Sequence, residues 1–263
     1  MGEIIVITSG KGGVGKTTTT ANLGTALSLL DKRVVVIDAD IGLRNLDVVL
    51  GAEDKIIYDI MDVLSESCTL EQALIQAKGC PNLYLLPASQ TATKENIEPE
   101  QMQTLYAGLK EKYDFVLIDC PAGIERGFKN AISGAERALI VATPEMSSVR
   151  DADRVLRLLL ANDPPINSML ILNRVRMDMM ERGVQMKAED IMEILPIDLI
   201  GIVPDDVDIT VAASRGEPVA TYHKSRPGMA YRDIAKRLTG ATVEFMDLSE
   251  KTGFFSRLRK AFS

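Results

Sequence analysis

Residues Gly10, Lys11, Gly12, Gly13, Val14, Gly15, Lys16 and Thr17 match the spacing G-x-x-x-x-G-K-[ST], a pattern built to hold phosphate. Gly12, Gly13 and Gly15 let the backbone bend so that consecutive N–H groups converge on phosphate oxygens. Lys16 would neutralise charge on the β- and γ-phosphates, and the Thr17 hydroxyl is placed to ligate Mg²⁺. Thr18 can reach an α-phosphate or serve as part of a Thr-rich helix start. An apolar run precedes the loop at residues 4–8 and a helical pattern follows it, the context this motif needs. The helix that follows adds its own N-terminal N–H groups and positive dipole end.

Two carboxylate sites suit the same ligand. Asp38 and Asp40 end the apolar run at 33–38, two residues apart, so their side chains lean to one face. Such a pair can position a water in line with a γ-phosphate, or it can be an acidic strand end facing solvent. Asp119 ends the run Phe-Val-Leu-Ile-Asp at 115–119, where a carboxylate can hold Mg²⁺ through water. The turn Cys120-Pro121-Ala122-Gly123 follows, and its Gly123 N–H is a candidate sensor of the γ-phosphate. Lys11 is not needed to cradle a phosphate in cis. It is either a solvated loop lysine or a cation delivered to a neighbouring nucleotide, as an arginine finger would be.

These residues need a rigid scaffold. Short apolar, β-branched runs at 4–8, 33–38, 82–87, 115–119, 138–143, 169–173 and 199–203 read as strands covered on both faces. Helical periodicity at 17–30, 99–112, 149–160 and 231–238 alternates with them. The expected fold is therefore α/β, a doubly wound, mostly parallel sheet in three layers, with ligands outside the carboxyl ends of the strands. Residues 1–245 read as one nucleotide-binding domain, and 246–263 as a linker with a terminal amphipathic helix. His223, the only histidine, falls in a polar loop and is expected at the surface.

The 263 residues are 46% hydrophobic and 25% charged, ordinary for a soluble domain. Trp is absent, so an aromatic surface for stacking on bases is not expected. Cys68, Cys80 and Cys120 lack paired spacing, which favours a reducing compartment over a disulfide framework. Neither a leader segment nor a run long enough to cross a bilayer is read in the sequence, so a cytoplasmic location is expected.

Net charge is −7, yet Lys251, Arg257, Arg259 and Lys260 stand without an acid in the last thirteen residues, leaving −11 on the rest. At 100° per residue, Phe254, Phe255, Leu258, Ala261 and Phe262 share an arc of roughly 120°, and Arg257, Arg259 and Lys260 fall outside it. Such a helix lies in a membrane interface with its bases toward anionic headgroups, or it docks on its own domain, or the end is frayed and solvated. One tail alone would bind weakly. Two tails held by a dimer gain avidity of about 10²–10⁴.

The run from Lys11 to Thr17, with lysines at positions 11 and 16, resembles the deviant Walker A box of the MinD/ParA family of ATPases. The segments 40–47, 87–91, 121–125 and 147–154 and the basic, Phe-rich tail are similar to its MinD branch, so the resemblance spans nearly the whole chain. It implies ATP with Mg²⁺ and a homodimer that sandwiches two nucleotides, with Lys11 reaching the partner's ATP. Asp40 would orient the attacking water and Asp38 would support the loop and the Mg²⁺ shell. Asn173, Pro204 and Asp205 would sit near adenine, although an asparagine there also suits a turn. It further implies recruitment of the septum inhibitor MinC to the inner face of the membrane and MinE-stimulated release, with Arg44 and Asp151 on the partner surface. A ParA-type partition ATPase binding DNA is the alternative; the acidic body and amphipathic tail speak against it.

Overall fold

The computed structural model describes residues 2–92 and 97–248. The strands are β1 (Glu3–Thr8), β2 (Val34–Asp38), β3 (Ile75–Gln76), β4 (Leu83–Leu86), β5 (Phe115–Asp119), β6 (Arg137–Ala142), β7 (Asn167–Val175) and β8 (Asp198–Pro204). Between them run α1 (Lys16–Ser28), α2 (Leu46–Leu50), α3 (Ile60–Leu64), α4 (Leu70–Ala73), α5 (Pro99–Lys112) and α6 (Arg126–Ile132). The second half adds α7 (Met146–Leu160), α8 (Met177–Glu181), α9 (Ala188–Ile194), α10 (Val207–Ser214) and α11 (Arg226–Leu238).

The strands form one sheet in the order β3-β4-β2-β5-β1-β6-β7-β8, parallel except for the short edge pair β3–β4. The three-layer α/β expectation holds. Alternation along each strand sends residues to opposite faces. Ile4, Val6, Val35, Ile37, Val116 and Ile118 join a core under α5, α6 and α7. Their neighbours Ile5, Ile7, Val34, Val36 and Leu117 join a second core under α1 and α11. Both faces are covered, so all five residues of β2 and of β5 are buried, which is why those runs are apolar without interruption.

Three departures from the sequence reading are local. β7 continues past 173 to Val175, so Asn173 lies inside a strand rather than at its end. α11 starts five residues earlier than its clear periodicity, with Pro227 in its first turn, a position where the missing N–H costs nothing. The segment between β2 and β4 folds into α2, α3, α4 and β3, pieces too short for periodicity to announce.

The parallel register sets up the site. From β1 the chain moves to β2 on one side, with β5 between them, and later strands extend on the other side through β6. Ligands in open α/β sheets bind at the carboxyl end of such a switch point. Here it is the end of β1, where the glycine loop begins.

Candidate functional site

The loop after β1 turns tightly into α1. Gly15 caps that helix at φ 99°, and Gly13 stands at φ 78°, both in the left-handed region that favours glycine. A Cβ on Gly15 would also come within 2.4 Å of Asn173 Nδ2. No side chain caps α1, and its first turn holds no acid, so its leading N–H groups have neither a side-chain acceptor nor a counter-charge. That is the physical form of an anion cradle.

The loop is braced from three sides. Lys16 is buried, and its Nζ donates to Ser9 Oγ at 3.0 Å, while Ser9 Oγ donates to the Lys11 carbonyl at 2.7 Å. Asn173 Nδ2 donates to the Val14 carbonyl at 2.8 Å, which ties β7 to the loop. Asn173 Oδ1 is buried and has no hydrogen-bond partner among the described residues, so an acceptor is left for a ligand donor. A Cβ on Gly10 would meet the Asp151 carbonyl oxygen at 2.2 Å, so α7 rests its backbone directly on the start of the loop. Lys11 is exposed, free of the packing that buries Lys16.

Two carboxyls face this cradle. The strand register pairs Asp38 with Asp119 on adjacent strands, and both are buried. Asp38 accepts from the backbone N–H of Asp40 (3.0 Å), Asn45 (3.0 Å) and Leu46 (3.1 Å), so it holds the 40–46 loop closed. Burial raises its carboxyl above the usual range, against the pull of those three N–H donors, and Asp40 adds repulsion. Asp119 is pushed up to about 8, mainly by burial, then by the nearby Asp38 charge; a Thr17 hydrogen bond and the Lys16 charge oppose this. Thr20 Oγ1 also donates to Asp119 at 3.3 Å and to the Lys16 carbonyl at 3.1 Å. Thr20 and Ser9 went unremarked in the sequence. The run of four threonines from Thr17 to Thr20 was the available signal, because position 20 lies one helical turn beyond Lys16.

A pair of adjacent buried carboxyls is costly unless a cation offsets it. Lys16 supplies one positive charge, and a divalent cation beside Thr17 would supply more. Among the described residues no group of three or more His, Cys, Asp or Glu side chains is arranged to hold a metal directly. Thr17, with Asp38 and Asp119 beside it, would hold such a cation together with phosphate oxygens and water.

The remaining expected residues fall around this centre. Asp40 is half-buried at the end of β2, and Ala122 lies opposite Gly12, whose Cβ would stand 3.7 Å from that of Ala122. That brings the turn containing Gly123 (φ 91°) to the loop. Thr18 is half-buried in the first turn of α1. Pro204 ends β8 beside Val175, and the Asp205 N–H donates to the Val175 carbonyl at 3.0 Å, two residues beyond Asn173. Arg44 stands at φ 44° and pairs with buried Asp47 at 2.9 Å, while Asp151 is half-buried on α7. His223 is exposed. Among the described residues no helix is long and apolar enough to cross a membrane. Phe254, Phe255, Arg257, Leu258, Arg259, Lys260 and Phe262 lie outside the described residues.

Comparison with known proteins agrees with this geometry. The AAA domain family matches residues 2–170. A septum site-determining protein MinD of Synechocystis sp. is 52% identical over 262 residues, covering 99% of this chain and 98% of that protein. In the solved MinC:MinD cell division protein complex of Aquifex aeolicus, a chain 46% identical superposes with a TM-score of 0.86, covering 93% of this chain and 98% of that one. The MinD of Pyrococcus horikoshii, solved with Mg-ADP, is 31% identical with a TM-score of 0.81, over 92% of this chain and 100% of that one.

Proposed function

The chain belongs to the MinD family of septum site-determining cell division ATPases, and from that membership we propose that it is a nucleotide-timed membrane recruiter. It binds Mg-ATP in the Gly10–Thr17 cradle, dimerises around two nucleotides and carries a septum inhibitor of the MinC kind to the membrane. It leaves the membrane when a MinE-like factor stimulates hydrolysis. The observation that carries the reading is the buried pair Asp38 and Asp119 beside buried Lys16, all facing an uncapped helix N-terminus.

The residues divide the work. The N–H groups of Gly12 to Thr17 and the Lys16 amine would hold the β- and γ-phosphates in one orientation. Thr17 would contribute its hydroxyl to Mg²⁺, which when bound neutralises charge developing on the transferred phosphoryl group. Asp119 and Asp38 would anchor the cation's water shell. Asp40, on the loop that Asp38 holds closed, would orient the attacking water. Asn173 Oδ1 and the backbone at Pro204 and Asp205 would meet the adenine. Lys11, exposed at the loop's entrance, would reach the partner's nucleotide. Arg44 and Asp151 lie on segments flanking the cradle, where a bound partner would feel the nucleotide state.

The test is co-sedimentation with anionic vesicles in ATP, in ADP, and with a chain ending at residue 252. ATP-dependent pelleting that the shortened chain loses is the expected result. Pelleting that ignores the nucleotide, or survives the truncation, overturns the proposal. A duplex DNA arm, titrated with salt, separates this reading from a partition ATPase.

A further inference from the structure

β7 is irregular at the point where it meets the nucleotide loop. Leu172 pairs with Ile202 and Val175 with Pro204, so Asn173 and Arg174 of β7 stand opposite the single Val203 of β8. That is a β-bulge, which breaks the alternation of a strand and re-aims a side chain. In an unbroken strand Asn173 and Val175 would share a face. Here Asn173 reaches the Val14 carbonyl on the loop side, while Val175 returns with Leu172 to the core under α5, α6 and α7. The bulge is what turns Asn173 toward the site without pulling the end of β7 out of its core.

Such a bulge is strained and needs support. Arg174 stands at φ 56°, in the left-handed region that a non-glycine residue rarely adopts. The support comes from Gln185, in the connection between α8 and α9. Its Nε2 donates to the Arg174 carbonyl at 3.1 Å, and its Oε1 accepts from the Arg176 N–H at 2.8 Å. One side-chain amide thus offers β7 the donor and acceptor that a neighbouring peptide group would offer. Gln185 is buried, and these bonds satisfy it there. Its Nε2 also lies 3.5 Å from Glu145 Oε1. The clamp has its own anchors: the Gln185 N–H donates to the Met179 carbonyl at 3.2 Å, and the Met186 N–H to the Pro144 carbonyl at 2.8 Å. It is therefore held by α8 and by the turn after β6, not by the strand it braces.

We propose that Gln185 is a positioning residue for recognition of the nucleotide base: its amide holds the 173–174 bulge, and the bulge aims Asn173 Oδ1 at the exocyclic amino group. This deepens the reading that Asn173 meets adenine, and it rests on that reading. Asn173 Oδ1 is buried without a hydrogen-bond partner among the described residues, so it is an acceptor that an amino group satisfies and a carbonyl repels. Gln185 acts at one remove, on where that acceptor points. The phosphate cradle keeps separate braces, from Lys16 to Ser9 and from Ser9 to the Lys11 carbonyl. Loss of the clamp should therefore be felt at the base and much less at the phosphates.

Calorimetric titration of the full-length protein with ADP, inosine diphosphate or pyrophosphate, each with Mg²⁺, tests this. Inosine diphosphate carries a carbonyl where adenine carries its amino group, and pyrophosphate carries no base. The unaltered protein should prefer ADP to inosine diphosphate by about tenfold or more. Gln185→Met, unbranched and of similar length, removes both clamp bonds and should bring that preference close to one, with pyrophosphate affinity within about threefold of its starting value. Gln185→Glu keeps the acceptor for the Arg176 N–H and loses the donor to the Arg174 carbonyl. It should retain part of the preference, a graded result that general misfolding would not give. Asn173→Ala should abolish the preference outright. If Asn173→Ala abolishes it and both Gln185 variants keep it in full, the clamp is overturned and the adenine reading stands. An equal loss of all three ligands in Gln185→Met overturns the clamp as well, since the residue would then support the whole domain. If the unaltered protein shows no preference, or Asn173→Ala leaves it intact, the adenine reading falls and the clamp with it.

Discussion

Two kinds of helix start sit side by side in this molecule. α3 and α4 close their own ends. Asp59 accepts from the Met61 N–H at 2.8 Å while Asp62 accepts from the Asp59 N–H at 2.9 Å, and Thr69 and Gln72 repeat the exchange. α1 is longer and more deeply buried, yet its first residue is preceded by a left-handed glycine and no side chain satisfies it. A helix of four or five residues needs every local hydrogen bond to persist. α1, wedged against the sheet and α11, is held by packing and can leave its first turn to a ligand. An uncapped start alone does not mark function, since α6, α7 and α11 also begin without a side-chain cap or a first-turn acid. What sets α1 apart is the left-handed Gly15 before it and the buried Lys16 at its start.

The largest effect should come from Asp40, the carboxylate proposed to orient the attacking water. Asp40→Ala is expected to lower hydrolysis by about 10²–10⁴-fold while ATP still binds, because the role proposed for Asp40 is toward the attacking water rather than the phosphates. Single-turnover phosphate release alongside nucleotide binding measures both. A parallel loss of affinity would mean that the 40–46 loop collapses, and the division of roles made here would fail.

Closing the open end directly is the second test. Gly15→Ala must place a Cβ at φ 99° and against Asn173 Nδ2. A left-handed non-glycine costs about 1–3 kcal/mol. Where the ligand-free loop relaxes to shed that strain, binding must restore it, and nucleotide affinity should fall by roughly ten- to a hundredfold, read by fluorescence titration of a labelled ATP. If Asn173→Ala relieves part of the loss, the clash is located. If it does not, backbone strain alone is responsible.

The buried carboxyls make a prediction in pH. Asp119 is pushed up to about 8 in the ligand-free fold, against an ordinary aspartate value near 4 when unfolded. Between those values the folded state binds the extra proton, so the associated stability is present at low pH and lost as pH rises toward about 8. Thermal unfolding of ligand-free protein should show the decline, at up to about 1.4 kcal/mol per pH unit. Asp119→Asn should flatten it. Saturating Mg²⁺ with nucleotide should flatten it too, since the cation then stabilises the charged carboxyl.

Much of this geometry was readable in advance because it is local. The cradle, its strand and its helix lie within one stretch, and apolar runs such as 115–119 announce buried strands through composition alone. The contacts that tie distant segments together were not readable. Asn173 on Val14, Asp151 on Gly10 and the Asp38–Asp119 register join residues tens to more than a hundred positions apart. No periodicity encodes such pairs. Thr20 was hidden differently, by a threonine run in which only the helical turn distinguishes the residue that faces Asp119. The pieces between β2 and β4 escaped because four or five residues do not fill a helical repeat.

The smallest effect belongs to the capped helices. Asp59→Ala removes the acceptor for the Met61 N–H and ends the reciprocal exchange with Asp62, a loss of about 1 kcal/mol. The unfolding midpoint should drop by a few degrees at most, since such a loss is spread over a large domain. Hydrolysis and nucleotide affinity should stay within twofold, because α3 packs through Ile60, Met61, Val63 and Leu64 on the hydrophobic core. The two measurements must separate. If Asp59→Ala weakens nucleotide binding as Gly15→Ala does, then the α3 cap supports the site through the Ile60–Pro87 backbone bond that anchors it beside β4. The contrast between a closed helix end that serves stability and an open one that serves the ligand would then be wrong.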